Sequence, residues 1–210
     1  MRTLFFPQIS SQFVARSLIA CLSLSCTQFT SAAQDSKPAT AAQVYTFDVP
    51  HTQIYFTVNH LGFSNSTALL TLKEGTLTLD QANMINSKAE VTIDVASLQF
   101  GDKKWNEHMA DKQFFNTAAF PNIEFVSSKV TMSSATAGKL TGNLTVLGVS
   151  KPITLDFVVN KIDINPMSKK PYAGFSATGS LKRSDFGMVA FLPSIGDEVK
   201  IRIEAEAGIK

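Results

Sequence analysis

The sequence predicts an all-β fold, a sandwich or a barrel, carrying one short helix. Three observations predict it. Apolar and polar residues alternate with a period of two through most of the chain beyond residue 43. Clusters of Gly, Pro, Asn and Ser separate these runs at short, regular intervals. One stretch, 102–113 (DKKWNEHMADKQ), lacks β-branched residues and is rich in helix formers.

Residues 1–33 are set apart from this pattern. They hold Arg2 and Arg16, no acidic residue, an apolar run at 18–26 (LIACLSLSC), and then Ser31-Ala32-Ala33. This order reads as a secretory signal peptide, so a periplasmic protein is expected. The apolar run is shorter than the roughly 20 residues that span a bilayer. Leu18-Ile19-Ala20-Cys21 has the form of a lipoprotein processing site, with Cys21 as the lipidated residue. Arg16 lies where such a signal should be apolar, so a free exported protein is expected over an anchored one. Residues 34–43 are small and polar and read as a flexible leader. The folded domain is expected over 44–210.

The strands follow in order. In 54–60, Ile54, Phe56 and Val58 share one face, and Tyr55, Thr57 and Asn59 the other. Runs 67–72 and 76–80 flank Lys73-Glu74-Gly75, which reads as a hairpin turn. Alternation returns at 88–95, 123–132, 139–147, 153–160 and 172–181, and the longest separator is 165–171 (NPMSKKP). Phe114-Phe115 and a Phe120-Pro121 corner follow the helix.

The last run, 199–207 (VKIRIEAEA), decides the kind of barrel. Val199, Ile201, Ile203, Ala205 and Ala207 share one face; Lys200, Arg202, Glu204 and Glu206 share the other. Four charges facing lipid would cost several kcal/mol. Turned inward, the apolar face suits a water-soluble barrel.

Charge and cysteine content exclude several functions. Without Arg2 and Arg16 the 19 Lys and Arg become 17, equal to the 17 Asp and Glu. A neutral chain is not an electrostatic nucleic-acid binder. Both cysteines, Cys21 and Cys26, fall in the signal, so the remainder has no thiol, disulfide or cysteine metal site. Nucleotide-binding loops, hydrolase elbows and zinc-protease motifs do not occur. No catalytic residue, metal or cofactor is expected. His108, beside Glu107 and one turn from Asp111, could pair with a carboxylate at a metal, but reads as a helix-surface residue. In Arg183-Ser184-Asp185 the arginine either organises a loop or faces a ligand head group; the first is the commoner use of a buried guanidinium.

Twelve of the 16 phenylalanines lie beyond residue 33, many in or beside loops: Phe63, Phe100, Phe114, Phe115, Phe120, Phe186 and Phe191. They either plug the barrel ends or line a mouth for an apolar ligand.

An ordered set of segments resembles a known family. It comprises YTFDVPHTQIYFTVNHL at 45–61, His108-Met109 followed by DKQFF, FPNIEFVSSKV, GNLTVLGVSKPITL, RSDFG, and VKIRIEAEA. In this order they resemble the YceI-like family of exported lipid-binding proteins, over about residues 44–208. The resemblance implies an eight-stranded antiparallel, lipocalin-like barrel. It implies an elongated apolar cavity for a polyisoprenoid or an isoprenoid quinone. Met109 stands where the family more often has Leu, and the segment around Trp105 departs from the family's polar, acidic form. On this reading the cavity wall is Phe56, Val58, Phe125, Phe157 and Phe175. Phe114, Phe115, Phe186 and Phe191 lie near an end, with His60, Trp105 and Arg183 as polar or amphipathic contacts. A noncatalytic carrier or sequestering protein is expected, with transient membrane contact and a homodimer left open. The alternatives are an enzyme or accessory factor acting on such a lipid, and a stress-related structural barrel filled by its own side chains.

Overall fold

Antiparallel pairing runs unbroken around the molecule and closes on itself. The computed structural model describes residues 41–209. The expectations for the signal at 1–33, for Cys21 and for the leader up to residue 40 lie outside the described residues. The strands are β1 (Gln43–Phe47), β2 (Gln53–His60), β3 (Ser64–Leu79), β4 (Lys88–Gln99), β5 (Asn122–Met132), β6 (Ala137–Val146), β7 (Val149–Ile164), β8 (Pro171–Lys182) and β9 (Ile195–Gly208). One helix, α1 (Lys103–Ala110), sits between β4 and β5. Each strand from β2 to β9 pairs with its sequence neighbour, and β2 also pairs with β9. These eight strands form the closed barrel, which leaves no free sheet edge.

β1 is the lower half of an interrupted first strand. It pairs with β3 at Gln43–Thr46 and with β9 at Thr46–Phe47, while β2 pairs with the same two strands further up. It begins at Gln43, the last residue of the expected leader. The β2–β3 turn, α1, the β6–β7 turn and the β8–β9 loop lie at one end, here the upper end. The β3–β4, β5–β6 and β7–β8 connections, with Gln43 and Gly208, lie at the lower end.

The break between β1 and β2 is tied by polar contacts. The Tyr172 hydroxyl donates to Asp48 Oδ2 at 2.6 Å, and His51 Nδ1 lies 2.9 Å from the same oxygen. Thr52, 2% exposed, exchanges hydrogen bonds with the Glu206 backbone. Burial alone would raise the Asp48 carboxyl, but hydrogen bonds from Tyr172 and His51 outweigh it and hold the pKa below its ordinary value. The same contact with Asp48 holds His51 above its ordinary value. A lowered carboxylate pKa stabilises the fold above the unfolded value and loses that contribution as pH falls through the folded one. Asp48→Asn is therefore expected to cost about 2 kcal/mol near neutrality. The gap from wild type should close in strong acid, as read by thermal denaturation across pH.

The expected hairpin at Lys73-Glu74-Gly75 is corrected. β3 runs straight through it, with only a register shift against β4 between Leu72 and Glu74. Gly75 is there for closeness, not for a turn. A Cβ on it would lie 2.8 Å from Val91 Cγ1 and 2.9 Å from Phe47 Cδ2. The helix also proves shorter than 102–113. Asp102 caps it, its side chain accepting from the Trp105 N–H at 2.9 Å, and Asp111 ends it.

Interior-facing residues match the alternation. On β6, Leu140, Gly142, Leu144 and Val146 face inward. A Cβ on Gly142 would meet the Phe125 ring at 2.4 Å and the Val126 carbonyl at 2.6 Å. Gly142→Ala is expected to cost about 1–3 kcal/mol by forcing that ring inward, measured by chemical denaturation. A small second core of Tyr45, Leu79, Ala173, Ala207 and their neighbours packs across the lower end.

Candidate ligand-binding cavity

The barrel interior is not filled. An upper cavity of about 520 Å³ lies under the upper loops, and a lower one of about 170 Å³ lies beneath it. Ile93, Leu144 and Ile201 line both and form the waist between them. The upper cavity falls in the range of small-molecule sites, roughly 300–1,000 Å³. The lower one is near the size of engineered apolar cavities of about 150 Å³ that stay dry and take a benzene-sized guest.

The waist and walls follow from the pleat. Phe56 and Val58 on β2 point inward with Ile201 and Val199, their partners on β9. Above them sits an aromatic layer. Phe100, at the end of β4, stacks on Trp105 at 4.7 Å and 11°. Phe56 meets Phe100 and Phe115 edge-on at 5.7 and 5.9 Å. His60 lies 6.0 Å from Trp105, and His108 packs edge-on to Phe114 at 5.0 Å. Phe114 in turn stacks on Phe191 at 6.0 Å. α1 thus roofs the upper cavity with Trp105, His108 and Met109.

The residues chosen from sequence divide between the two cavities. Phe56, Val58, His60, Trp105, Phe114, Phe115, Arg183, Phe186 and Phe191 line the upper one. Phe125, Phe157 and Phe175 line the lower one. A single wall through Phe56, Val58, Phe125, Phe157 and Phe175 is thus corrected to two sets, because β2 and the upper half of β9 face a different level from the lower halves of β7 and β8. Sequence reasoning missed Phe100 and Met109 as wall residues, although both were noticed, and it missed the waist residues.

Of the two readings of Arg183, its contacts fit the loop organiser, while the residue also lines the upper cavity. It is only 6% exposed. Its Nε donates to the Gly196 carbonyl at 2.8 Å, and its Nη1 to Met188 at 2.9 Å. Nη2 donates to Ala190 and Ile195, both at 2.9 Å. The fork therefore braids the β8–β9 loop over the cavity mouth. Asp197 supports it, accepting from the Ser184 N–H at 2.9 Å and the Ser184 hydroxyl at 2.8 Å. These two bonds hold the Asp197 carboxyl below its ordinary pKa.

His108 Nδ1 lies 3.7 Å from Asp111 Oδ2 at the end of α1, while its ring belongs to the cavity roof. Among the described residues, the one cluster with metal-ligand spacing is Asp48, His51 and Glu206 at the strand break; none of the three lines either cavity. Its contacts are accounted for by the tie between β1, β2, β8 and β9.

A closed antiparallel barrel with an apolar lumen roofed by one short helix defines a β-barrel built around an internal cavity. The family follows from comparison with known proteins. The YceI-like domain matches residues 45–207, so the chain belongs to the YceI-like family. It is 32% identical over 168 residues to a UPF0312 protein of Photorhabdus laumondii, covering 77% of this chain and 84% of that one. It is 33% identical over 156 residues to Protein YceI of Salmonella arizonae, covering 74% and 81%. The crystal structure of the Campylobacter jejuni YCEI protein superposes with a TM-score of 0.62 at 31% identity, covering 72% of this chain and 90% of that one. The fold alone is shared with a polyisoprenoid binding domain from Saccharophagus degradans, TM-score 0.59 at 16% identity, covering 79% and 98%.

Proposed function

We propose that this protein is a noncatalytic carrier or sequestering barrel for an isoprenoid lipid. The observation that carries the reading is the unfilled apolar lumen, two cavities in line from the upper mouth toward the lower end. A barrel filled by its own side chains would leave neither. A space jointed at a waist suits a flexible hydrocarbon chain better than a compact ligand. That a structural relative is described as a polyisoprenoid binding domain supports the same class.

The polar residues of the upper cavity favour an uncharged head group. His60, Ser66, Trp105, His108 and Ser194 offer hydrogen bonds, and Arg183 is committed largely to backbone carbonyls. Among the described residues, no carboxylate and no lysine lines that cavity. A quinone or an alcohol fits such a setting; a diphosphate, whose charges need paired cations, does not.

The energetics concern exchange between two apolar solvents. Each methylene removed from water is worth about 0.8 kcal/mol. A chain of about 40 carbons would pass the practical ceiling of roughly −20 kcal/mol if water were the reference. Such a lipid waits in a membrane, already dry. The barrel needs only to match lipid as a solvent and to shield the chain across an aqueous gap, which on the expectation of an export signal at residues 1–33 is the periplasm.

Native mass spectrometry of protein purified without detergent, followed by organic extraction, tests this. A stoichiometric isoprenoid is expected. A homogeneous unliganded mass that stays unchanged after incubation with membrane lipids would overturn the reading. His60→Ala and His108→Ala should alter occupancy without creating or abolishing any turnover of the bound lipid.

A further inference from the structure

The cavity mouth is crowned by two apolar loops that holding a lipid does not require. Phe63 is 92% exposed, Val189 58%, Phe191 55% and Leu61 48%. They sit on the β2–β3 turn and the β8–β9 loop, which are joined by the Leu61 N–H donating to the Ser194 carbonyl at 3.1 Å.

Their backbone is costly to keep apolar. The turn His60–Phe63 closes through the Phe63 N–H to the His60 carbonyl at 3.0 Å, with Leu61 at φ 58° and Gly62 at φ 76°. A two-residue turn with both central residues left-handed favours Asn-Gly. Leu61 therefore occupies a place where Asn would be relaxed. Phe191, at φ 60°, holds a second left-handed position with a bulky side chain. Strain kept in favour of exposed apolar side chains points to use at the surface.

Charge distribution identifies the partner. Segments 61–67 and 186–196 contain no charged residue. Beside them α1 and its cap expose Lys103 and Lys104 together with Asp102 and Glu107, Lys103 lying 3.8 Å from Glu107. The flank is of mixed sign, and the uncharged apolar tip complements the apolar interior of a lipid surface. A stable protein interface takes roughly 20–30 residues a side, more than two short loops supply. Leu61 and Phe191 also line the upper cavity, so apolar surface runs without a break from the lumen to the tip.

We propose that the loops around Leu61–Phe63 and Val189–Phe191 dock the mouth onto a lipid bilayer. The proposal rests on the lipid-binding reading, since docking lets a lipid pass from bilayer to lumen without crossing water. The test is flotation with vesicles of phosphatidylethanolamine and phosphatidylglycerol, using wild type and the double variant Phe63→Ser/Val189→Ser. Both side chains are exposed and line neither cavity, so the variant should fold with unchanged melting temperature. Its vesicle partitioning should fall by roughly tenfold or more. Lipid carried from the cell should remain detectable in both by native mass spectrometry, while uptake from vesicles slows in the variant. Equal partitioning of the two proteins, or no flotation of wild type, overturns docking even if both carry lipid. Absence of lipid in both, with flotation intact, overturns the carrier reading instead. A dimer that dissociates in the variant would assign the patch to a second copy and overturn the proposal.

Discussion

Arg183→Met is expected to lower the melting temperature by roughly 10 °C. Four backbone carbonyls, at Met188, Ala190, Ile195 and Gly196, depend on this one guanidinium. Leaving a buried acceptor without a donor costs about 1–3 kcal/mol. The four do not add, because the loop can open toward water, but a loss of about 3 kcal/mol or more remains. At 2–4 °C per kcal/mol for a domain of about 170 residues, that gives the stated shift. Arg183→Lys should recover little of it, since an ammonium cannot reach carbonyls on both sides of the loop as a planar fork does. Circular dichroism melts of the three proteins measure this. A shift under about 2 °C for the Met variant would mean that the loop is held by its apolar contacts instead. The same variant should exchange lipid faster, because the loop also forms one wall of the mouth.

Ala177→Phe is expected to change what the barrel holds rather than whether it folds. Ala177 lines the lower cavity, opposite Phe157 on β7 and Ile203 on β9. A ring there has about 170 Å³ of free space to enter, so stability should be kept within about 1.5 kcal/mol. The far end of a bound chain would be excluded. Against water, an isoprene unit of five carbons left outside forfeits about 4 kcal/mol. Extracted cargo should therefore shift to shorter chains, or occupancy should fall at least tenfold. Mass spectrometry of the extract distinguishes these results from an unchanged cargo, which would confine the ligand to the upper cavity.

Much of the fold was legible because each strand reports its own pleat. In β9 the split between Val199, Ile201, Ile203 and the charged residues between them places inside and outside without any partner. The helix formers over 102–113 mark α1 in the same local way. Gly75 was misread because a glycine within a strand pattern signals either a turn or a close approach. What decides it here is the Phe47 ring and Val91, remote in sequence. The site was legible in kind, an apolar interior rich in Phe, but not in layout. Which inward residues come level across the barrel depends on register, and the waist gathers Ile93, Leu144 and Ile201 from three distant strands. Arg183 shows the remaining gap. Its residue type announced a fork, and only the path of the following loop showed that the fork grips four carbonyls of its own chain.

Gln43 and Gly208 leave the barrel at the end opposite the mouth. An affinity tag placed after Ile209 would therefore hold the molecule by its base, with the roof of α1 and the loops facing away from the support. Immobilised protein could then be charged and emptied in place, and sensor-chip binding curves would report entry into the lumen free of steric interference from the attachment. Tethering through an engineered cysteine on the upper loops would reverse that geometry and block loading, which makes the pair of orientations a built-in control.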